Sequence, residues 1–381
     1  MAQLTNTPAT STDANLPRGG DEGRERPAVI VAADDLLRHV TALFVHAGLP
    51  EGDAATVADC LVRANLRGVD THGVFRVATY LERLRAGLNN PQPRIAVERV
   101  GHAAAHVDGD NGMGAVVGTR AMGEAIAIAG EGGVALVSIR HSNHYGMAAY
   151  YVLQALEAGL VGMAFTNASP ALPPWGGRAP FLGTSPFAVA VPAGRQPPYV
   201  LDMAMSVLAR GNVYVAAKTG RAIPPGLALD GAGRPTTDPQ ALIDGGTMLP
   251  FGGVKGSALA MLMDIFGGVL SGAAFAGNVG NPHTSFDRPQ DVGHLFVCFR
   301  PDLFMPLERF RERMDEFVLA VKAQPRAEGF DAILVPGERE AQTERVRLAS
   351  GIPLPAEIAE AIAAKGERAG LSPLPVSAGK S

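Results

Sequence analysis

Apolar residues recur at helical spacing early in the chain. Leu36, Leu37, Val40, Leu43 and Phe44 form one stripe, and Ala55, Val57, Leu61 and Leu66 contribute to the next. This pattern predicts helix from Val31 to about Gly87, after which Pro91 and Pro93 break the chain. Short β-branched runs parted by Gly and Pro follow. Ala103 to Val107, Val134 to Ile139, Leu160 to Thr166, Phe187 to Val191 and Tyr199 to Leu201 are expected strands. Helical patterns fall at Met113 to Ala129, Met147 to Ala158 and Lys255 to Ser271. Past Arg300 the chain turns charged and helical, notably over Leu307 to Lys322. A last helix around Pro355 to Lys365 precedes a Pro/Ser/Gly-rich tail. No internal repeat is visible. The simplest architecture is a mixed α/β (α+β-like) one. A helical domain is built from both chain ends, 29–98 and 302–381, and a sheet domain, 99–301, is inserted between.

Within the first helical region, Thr71 reads as an N-cap for a helix running through Leu84. On such a helix His72, Arg76 and Tyr80 stand at i, i+4 and i+8, drifting about 40° per step. One face would then present a proton-transfer group, a fixed cation and a phenol, the set that binds a small carboxylate and moves a proton beside it. A solvated helix face is the plainer reading of the same spacing.

Composition narrows the class. The 381 residues are 47% hydrophobic and 18% charged, as in a soluble globular enzyme. A net charge of −4 without a basic run leaves no electrostatic footprint for nucleic acid or an anionic membrane. Cys60 and Cys298 stand alone in apolar surroundings, as reduced core residues do. Residues 1–28 are polar and charged with no apolar h-region, so a disordered extension is expected there and a cytoplasmic location follows by default. No uninterrupted apolar stretch reaches membrane-spanning length.

Further chemistry gathers at junctions. His141-Ser-Asn-His144-Tyr-Gly146 joins an expected strand to an expected helix, where side chains meet ligands at a sheet edge. No nearby acid or cysteine completes a metal set around its two histidines, so no metal is expected and His144 is a candidate acid/base. Gly109-Asp-Asn-Gly112-Met-Gly114-Ala-Val-Val-Gly118 departs by one from the dinucleotide fingerprint, and the next strand ends in Arg140 rather than an acid. A tight turn with close helix packing fits it better than a phosphate loop. Pro250-Phe-Gly-Gly-Val-Lys255-Gly256 opens an apolar helix and offers either an anion site or a lysine capping a neighbouring helix. Asp264, inside that helix, reads as a paired structural carboxylate. The turn-rich segment from Thr166 to Pro186 suits a cleft lining. Asp202, ending a strand, fits a ribose partner or a helix N-cap equally well.

Taken in order, several motifs resemble one family. They are Arg67-Gly-Val-Asp-Thr-His-Gly-Val-Phe-Arg76, Ser142-Asn-His-Tyr-Gly146, Pro173-Pro-Trp-Gly-Gly177, Leu182-Gly-Thr-Ser-Pro186, Asp202-Met-Ala-Met-Ser206, Gly233-Arg-Pro-Thr-Thr-Asp-Pro239 and Phe251-Gly-Gly-Val-Lys-Gly256. Gly329-Phe-Asp331 and Val335-Pro-Gly-Glu338 continue the series. The family is the malate/L-lactate dehydrogenase family, distinct from the Rossmann-type lactate and malate dehydrogenases. It includes ureidoglycolate, sulfolactate and diketogulonate oxidoreductases and the Δ1-piperideine-2-carboxylate reductases. The resemblance spans roughly Ala33 to Ala363. It implies a non-Rossmann cofactor domain on a mostly antiparallel sheet, a homodimer, and NAD or NADP as cofactor. It also implies His144 as acid/base, His72 as a second proton-transfer histidine, and Arg76 as the carboxylate clamp with Thr71 and Tyr80 beside it. The cofactor would lie along Asn167, Pro198, Tyr199, Val200, Leu201, Asp202, Met203, Ala204, Lys255, Gly337, Glu338 and Arg339.

Two departures bear on substrate choice: Thr71 replaces the more usual Ser, and Ser185 stands where Asn is common. The expected activity is hydride transfer at C2 of a small 2-hydroxy or 2-oxo acid. A cyclic 2-imino acid on the same scaffold, and a catalytically silent binding protein, are the competing expectations.

Overall fold

The computed structural model describes residues 28–378, so the extension expected over residues 1–28 lies almost wholly outside the described residues. Both ends of the described chain meet. The strand Val29–Val31 pairs antiparallel with Ile352–Leu354 on one side and Ser377–Ala378 on the other. Ala33–His46 packs on Glu51–Leu66 through Leu36, Val40, Leu43 and Phe44 from the expected stripe, all buried. The C-terminal helix Ala356–Arg368 lies against Ala33–His46 and Val77–Arg85, while Glu338–Ser350 lies against Glu51–Leu66.

The early helical region is not continuous. After Leu66 come two single 3₁₀ turns, Asp70–His72 and Val74–Arg76, and α-helix resumes only at Val77–Arg85. Thr71 therefore lies inside a 3₁₀ turn and caps no α-helix, and His72 and Tyr80 do not share one helix face. Gly73 is the cause: its extended backbone (φ −86°, ψ −151°) separates the turns. The buried Asn65 fills the space beside it, accepting from the Val74 N–H at 2.8 Å. A Cβ at Gly73 would sit 2.1 Å from Asn65 Oδ1.

The inserted region carries a seven-stranded sheet in the order Ala96–Arg99, Ala104–Asp108, Val134–Ser142, Val292–Phe299, Val161–Thr166, Phe187–Val191, Tyr199–Met203. Only the second and third strands run parallel; every other pair is antiparallel, so the topology is not Rossmann. The expected strands are all present, with ends shifted by a residue or a few. Val292–Phe299, in the middle of the sheet, has no counterpart among them. Its Val-Gly-His-Leu-Phe-Val-Cys-Phe run is buried on nearly all positions, so the alternation that marks a half-exposed strand is missing. Gly114–Gly132 and Ala149–Glu157 pack against the sheet with Met122, Ile128, Tyr151 and Phe296 in the core. Cys60 and Cys298 are buried free thiols in this core.

Candidate active site

A cleft of about 800 Å³ runs between the sheet edge and the helical region. His72, Arg76 and Thr71 line it from the 3₁₀ turns, and His144 lines it from the loop after Val134–Ser142. The sheet side supplies Asn167 and Val200 to Ala204, and the chain just before Glu338–Ser350 supplies Leu334 to Gly337, with Arg339 in the first turn. His72 and Arg76 thus reach one cleft by a route other than a helix face, and Tyr80 is not part of its lining.

The loop bearing His144 is held by the glycine-rich segment Gly109–Gly118. Asp110 and Asn111 adopt left-handed conformations (φ 46° and 56°), making a tight turn. Asn143 Nδ2 donates to the carbonyls of Asn111 (3.1 Å) and Gly112 (2.8 Å) in that turn. Gly114 passes directly beneath the loop, where a Cβ would lie 2.3 Å from the Asn143 carbonyl oxygen. The segment is a packing device, as its spacing suggested. Opposite, Gln290 accepts from the His144 N–H at 3.1 Å and donates to the Gly280 carbonyl at 3.0 Å. Tyr145 is stacked between Tyr151 and His294, at 4.7 and 4.5 Å between centroids, which fixes the next residue too.

His72 and His144 stack with centroids 5.6 Å apart and planes 15° apart. Tyr80 stands behind them: its hydroxyl lies 2.7 Å from His144 Nδ1, and the phenol does not line the cleft. The Gly146 N–H also points at Nδ1, at 3.4 Å. A backbone N–H can only donate, so Nδ1 is the acceptor and the neutral ring carries its proton on Nε2. Burial, then the nearby Arg76 and His72, hold the His144 pKa well below the ordinary histidine value. Burial and Arg76 likewise lower His72, to about 3. Both rings are neutral at pH 7. Thr71 Oγ1 is 3.0 Å from His72 Nδ1. Arg76 Nε donates to the Thr71 carbonyl at 2.8 Å, and Nη1 donates to His283 Nε2 at 3.0 Å.

Asp202 serves the fold as a helix cap. Its Oδ2 accepts from the Ala149 N–H at 2.7 Å, at the start of Ala149–Glu157, and it also faces the cleft. Burial pushes its pKa up to about 6 against the lowering effect of that bond. Asn167 reaches the cleft, but its amide is engaged inward with Gly293 N–H, the Ala274 carbonyl and Asp264. Asp264 also accepts from Ala276 N–H, so it is paired with amides.

Four expected cofactor residues stand outside the cleft lining: Pro198, Tyr199, Lys255 and Glu338. Glu338 is buried, bound to Lys322 and to the Val335 N–H, so its carboxylate fixes the loop before its own helix. Lys255 is exposed on the first turn of Val254–Asp264, away from the cleft wall. Conversely, Arg67, His283 and Gln290 line the cleft and were not among the candidates read from sequence for this site. His283 and Gln290 sit in an irregular loop following Gly280-Asn-Pro, and no spacing ties them to His72 or His144.

A dinucleotide suits this lining. Val200, Leu201, Met203, Leu334, Val335 and Pro336 make an apolar wall. The N-terminus of Glu338–Ser350 at Gly337, with Arg339 in its first turn, offers N–H donors and a cation for phosphate. Residues 31–363 match the malate/L-lactate dehydrogenase family. A malate dehydrogenase from Pyrococcus abyssi is 37% identical over 91% of this chain and 97% of its own length. The L-sulfolactate dehydrogenase of Methanocaldococcus jannaschii is 39% identical over 79% of this chain and 86% of its own. The solved structure of malate dehydrogenase from Pyrococcus horikoshii OT3 superimposes with a TM-score of 0.84 at 35% identity, covering 93% of this chain and 99% of that one.

Proposed function

This chain belongs to the malate/L-lactate dehydrogenase family, and from that premise we propose that it transfers hydride at C2 of a malate- or lactate-like 2-hydroxy or 2-oxo acid. At the coarser level it is an NAD(P)-dependent oxidoreductase acting on 2-hydroxy/2-oxo acids. The observation that carries the finer reading is the placing of Arg76 and the stacked His72/His144 pair in one cleft together with a lining that suits a dinucleotide.

When bound, the nicotinamide supplies or accepts the hydride. Val200 to Ala204, Gly337 and Arg339 would hold that cofactor. Arg76, fixed by Thr71 and His283, receives the substrate carboxylate and so aims C2 across the cleft. His144 transfers the proton at the substrate oxygen. As a neutral base it takes the hydroxyl proton during oxidation; protonated, it returns it during reduction. Tyr80 serves this step, because its hydroxyl has two acceptors in reach, His144 Nδ1 at 2.7 Å and the His144 carbonyl at 3.4 Å. Turning to the carbonyl, with the long 3.4 Å Gly146 contact given up, it lets the ring proton shift from Nε2 to Nδ1 and leaves Nε2 basic. His72 lies against the face of His144 and excludes water from it.

Purified protein with NADH or NADPH is expected to oxidise the cofactor when given pyruvate, oxaloacetate or a sulfonated pyruvate, read as loss of absorbance at the reduced nicotinamide band. Cofactor binding with no turnover on any of these, alongside turnover on a cyclic 2-imino acid, would overturn the substrate assignment.

The working unit is proposed to be a homodimer. Val254, Ala258, Met261, Ile265 and Val269 are exposed along one face of Val254–Asp264 and its π-helical continuation Ile265–Val269. Wild type is expected to sediment as a dimer, and a Met261→Glu/Ile265→Glu variant as a monomer. A wild-type monomer at micromolar concentration would refute the assignment.

A further inference from the structure

Arg76 is presented by a loop as much as by its own turn. Residues 270–291 connect the end of the apolar helix to the central strand, and Asn281, Pro282, His283 and Gln290 of this loop line the cleft. One buried side chain pins this loop. Arg83, on the inward side of Val77–Arg85, is 1% exposed, and its Nη1 donates to the Ser285 carbonyl at 2.9 Å and to the Pro282 carbonyl at 3.5 Å. Its Nη2 donates to the Arg288 carbonyl at 3.4 Å, and its guanidinium lies 5.7 Å from the centre of the Phe286 ring. Within the loop, Asn281 N–H donates to Ser285 Oγ (3.0 Å), and Asn281 Oδ1 accepts from the His283 N–H (2.8 Å). His283 is thereby delivered to a defined point beside Arg76.

The hydrogen bonds there fix the protonation of the ring. Arginine has five donors and no acceptor, so the 3.0 Å contact between Arg76 Nη1 and His283 Nε2 requires an unprotonated Nε2. The ring proton then sits on Nδ1, which faces Thr79 Oγ1 at 3.4 Å. Thr79 belongs to the same helix as Tyr80 and Arg83, so one short helix orients the His144 ring, the loop and the His283 tautomer together. On the other edge Arg76 Nε is bound to the Thr71 carbonyl. Two protein acceptors therefore set the plane and direction of the guanidinium before a substrate arrives, and an arginine that need not be ordered on binding loses less entropy in forming its fork with a carboxylate.

We propose that His283 is a positioning residue for substrate binding: its neutral ring holds Arg76 in the orientation that receives the substrate carboxylate. The proposal rests on the reading of Arg76 as the carboxylate clamp. His283 makes no demand on the hydride or proton steps, so its removal acts on KM for the acid and not on the chemistry.

The test is a double-mutant cycle on the full-length enzyme, with His283→Ala, His283→Gln, Arg76→Met and the Arg76→Met/His283→Ala pair. Steady-state kinetics are read for both the 2-oxo acid and the reduced cofactor. His283→Ala is expected to raise KM for the acid about tenfold, with kcat within threefold of wild type and cofactor KM unchanged, since about one ordered hydrogen bond is lost. His283→Gln, which keeps an acceptor on a planar amide, is expected to restore KM to within threefold. In the Arg76→Met background the alanine is expected to add nothing, because the histidine acts through the arginine. An unchanged KM in His283→Ala, a parallel loss in kcat and in cofactor KM, a Gln variant no better than Ala, or an additive double variant would each overturn the proposal. If Arg76→Met itself left KM unaltered, the clamp reading of Arg76 would fall first, which separates the two failures.

Discussion

His144→Ala is expected to lower kcat/KM by about 10²–10⁴-fold in either direction, the usual contribution of a positioned acid/base group. Binding of NAD(P)H, followed by fluorescence or calorimetry, is expected to stay within about threefold of wild type, since the ring is not among the residues expected to hold the cofactor. The loss should fall on kcat as well as kcat/KM, because the proton moves only as the C2 bond changes. The pH profile gives an independent check. Burial, Arg76 and His72 hold the His144 pKa below its ordinary 6.5, so the neutral base survives to lower pH than a free histidine would. The acid limb of kcat/KM for oxidation is therefore expected below pH 6.5. In reduction the protonated acid is scarce at pH 7 for the same reason, and the rate is expected to climb on acidification. A His144→Ala variant with turnover within tenfold of wild type, or an oxidation profile whose acid limb stands above pH 7, would move the proton-transfer role elsewhere. His72→Ala is the comparison: its ring has the same neutral state but lacks the Tyr80 contact, so a smaller loss is expected.

What sequence could and could not reveal about this site has a physical pattern. Strands with flanking Gly and Pro were legible because period-two and β-branched signals are local. The central Val292–Phe299 strand was not, since a strand covered on both faces shows a continuous apolar run with no alternation. The His72–Arg76–Tyr80 spacing pointed to two residues that line the cleft, His72 and Arg76, but not through the geometry it implied. A helix face was expected, yet Gly73 breaks the chain into 3₁₀ turns around Asn65, and the residues converge through tertiary packing. Tyr80 ends up behind His144, outside the cleft lining. Lys255 and Glu338 carried strong local signals, a glycine-opened helix and a helix first turn. Neither signal says which way the side chain faces, and in the fold one points to solvent and the other into an ion pair. His283 and Gln290 carried no signal at all. Their places in the cleft come from a loop pinned by Arg83, about two hundred positions away, and by its own internal hydrogen bonds, a dependence that periodicity cannot encode.

Arg76→Met is expected to have the second large effect, and on a different parameter. A carboxylate held by a guanidinium fork gains two charge-assisted hydrogen bonds of about 1.5–3 kcal/mol each. Removing them should cost about 3–5 kcal/mol in kcat/KM, or roughly 10²–10³·⁵-fold at 1.4 kcal/mol per decade. Most of this should appear as a raised KM for the acid, with part in kcat because the carboxylate also aims C2. Methionine keeps the stem and removes the charge, so packing on Phe75, 5.6 Å from the guanidinium, is largely retained. Lysine restores charge but not the fork, and it cannot bridge the Thr71 carbonyl and His283 at once. Arg76→Lys is thus expected to recover about tenfold and no more. The cofactor side should be silent to both changes. Removing Arg76 also removes the charge that lowers His72 and His144, so the acid limb of the oxidation profile should shift to higher pH in Arg76→Met. A variant that lost activity without either a higher KM or that shift would show Arg76 to be holding the turn together rather than meeting the substrate.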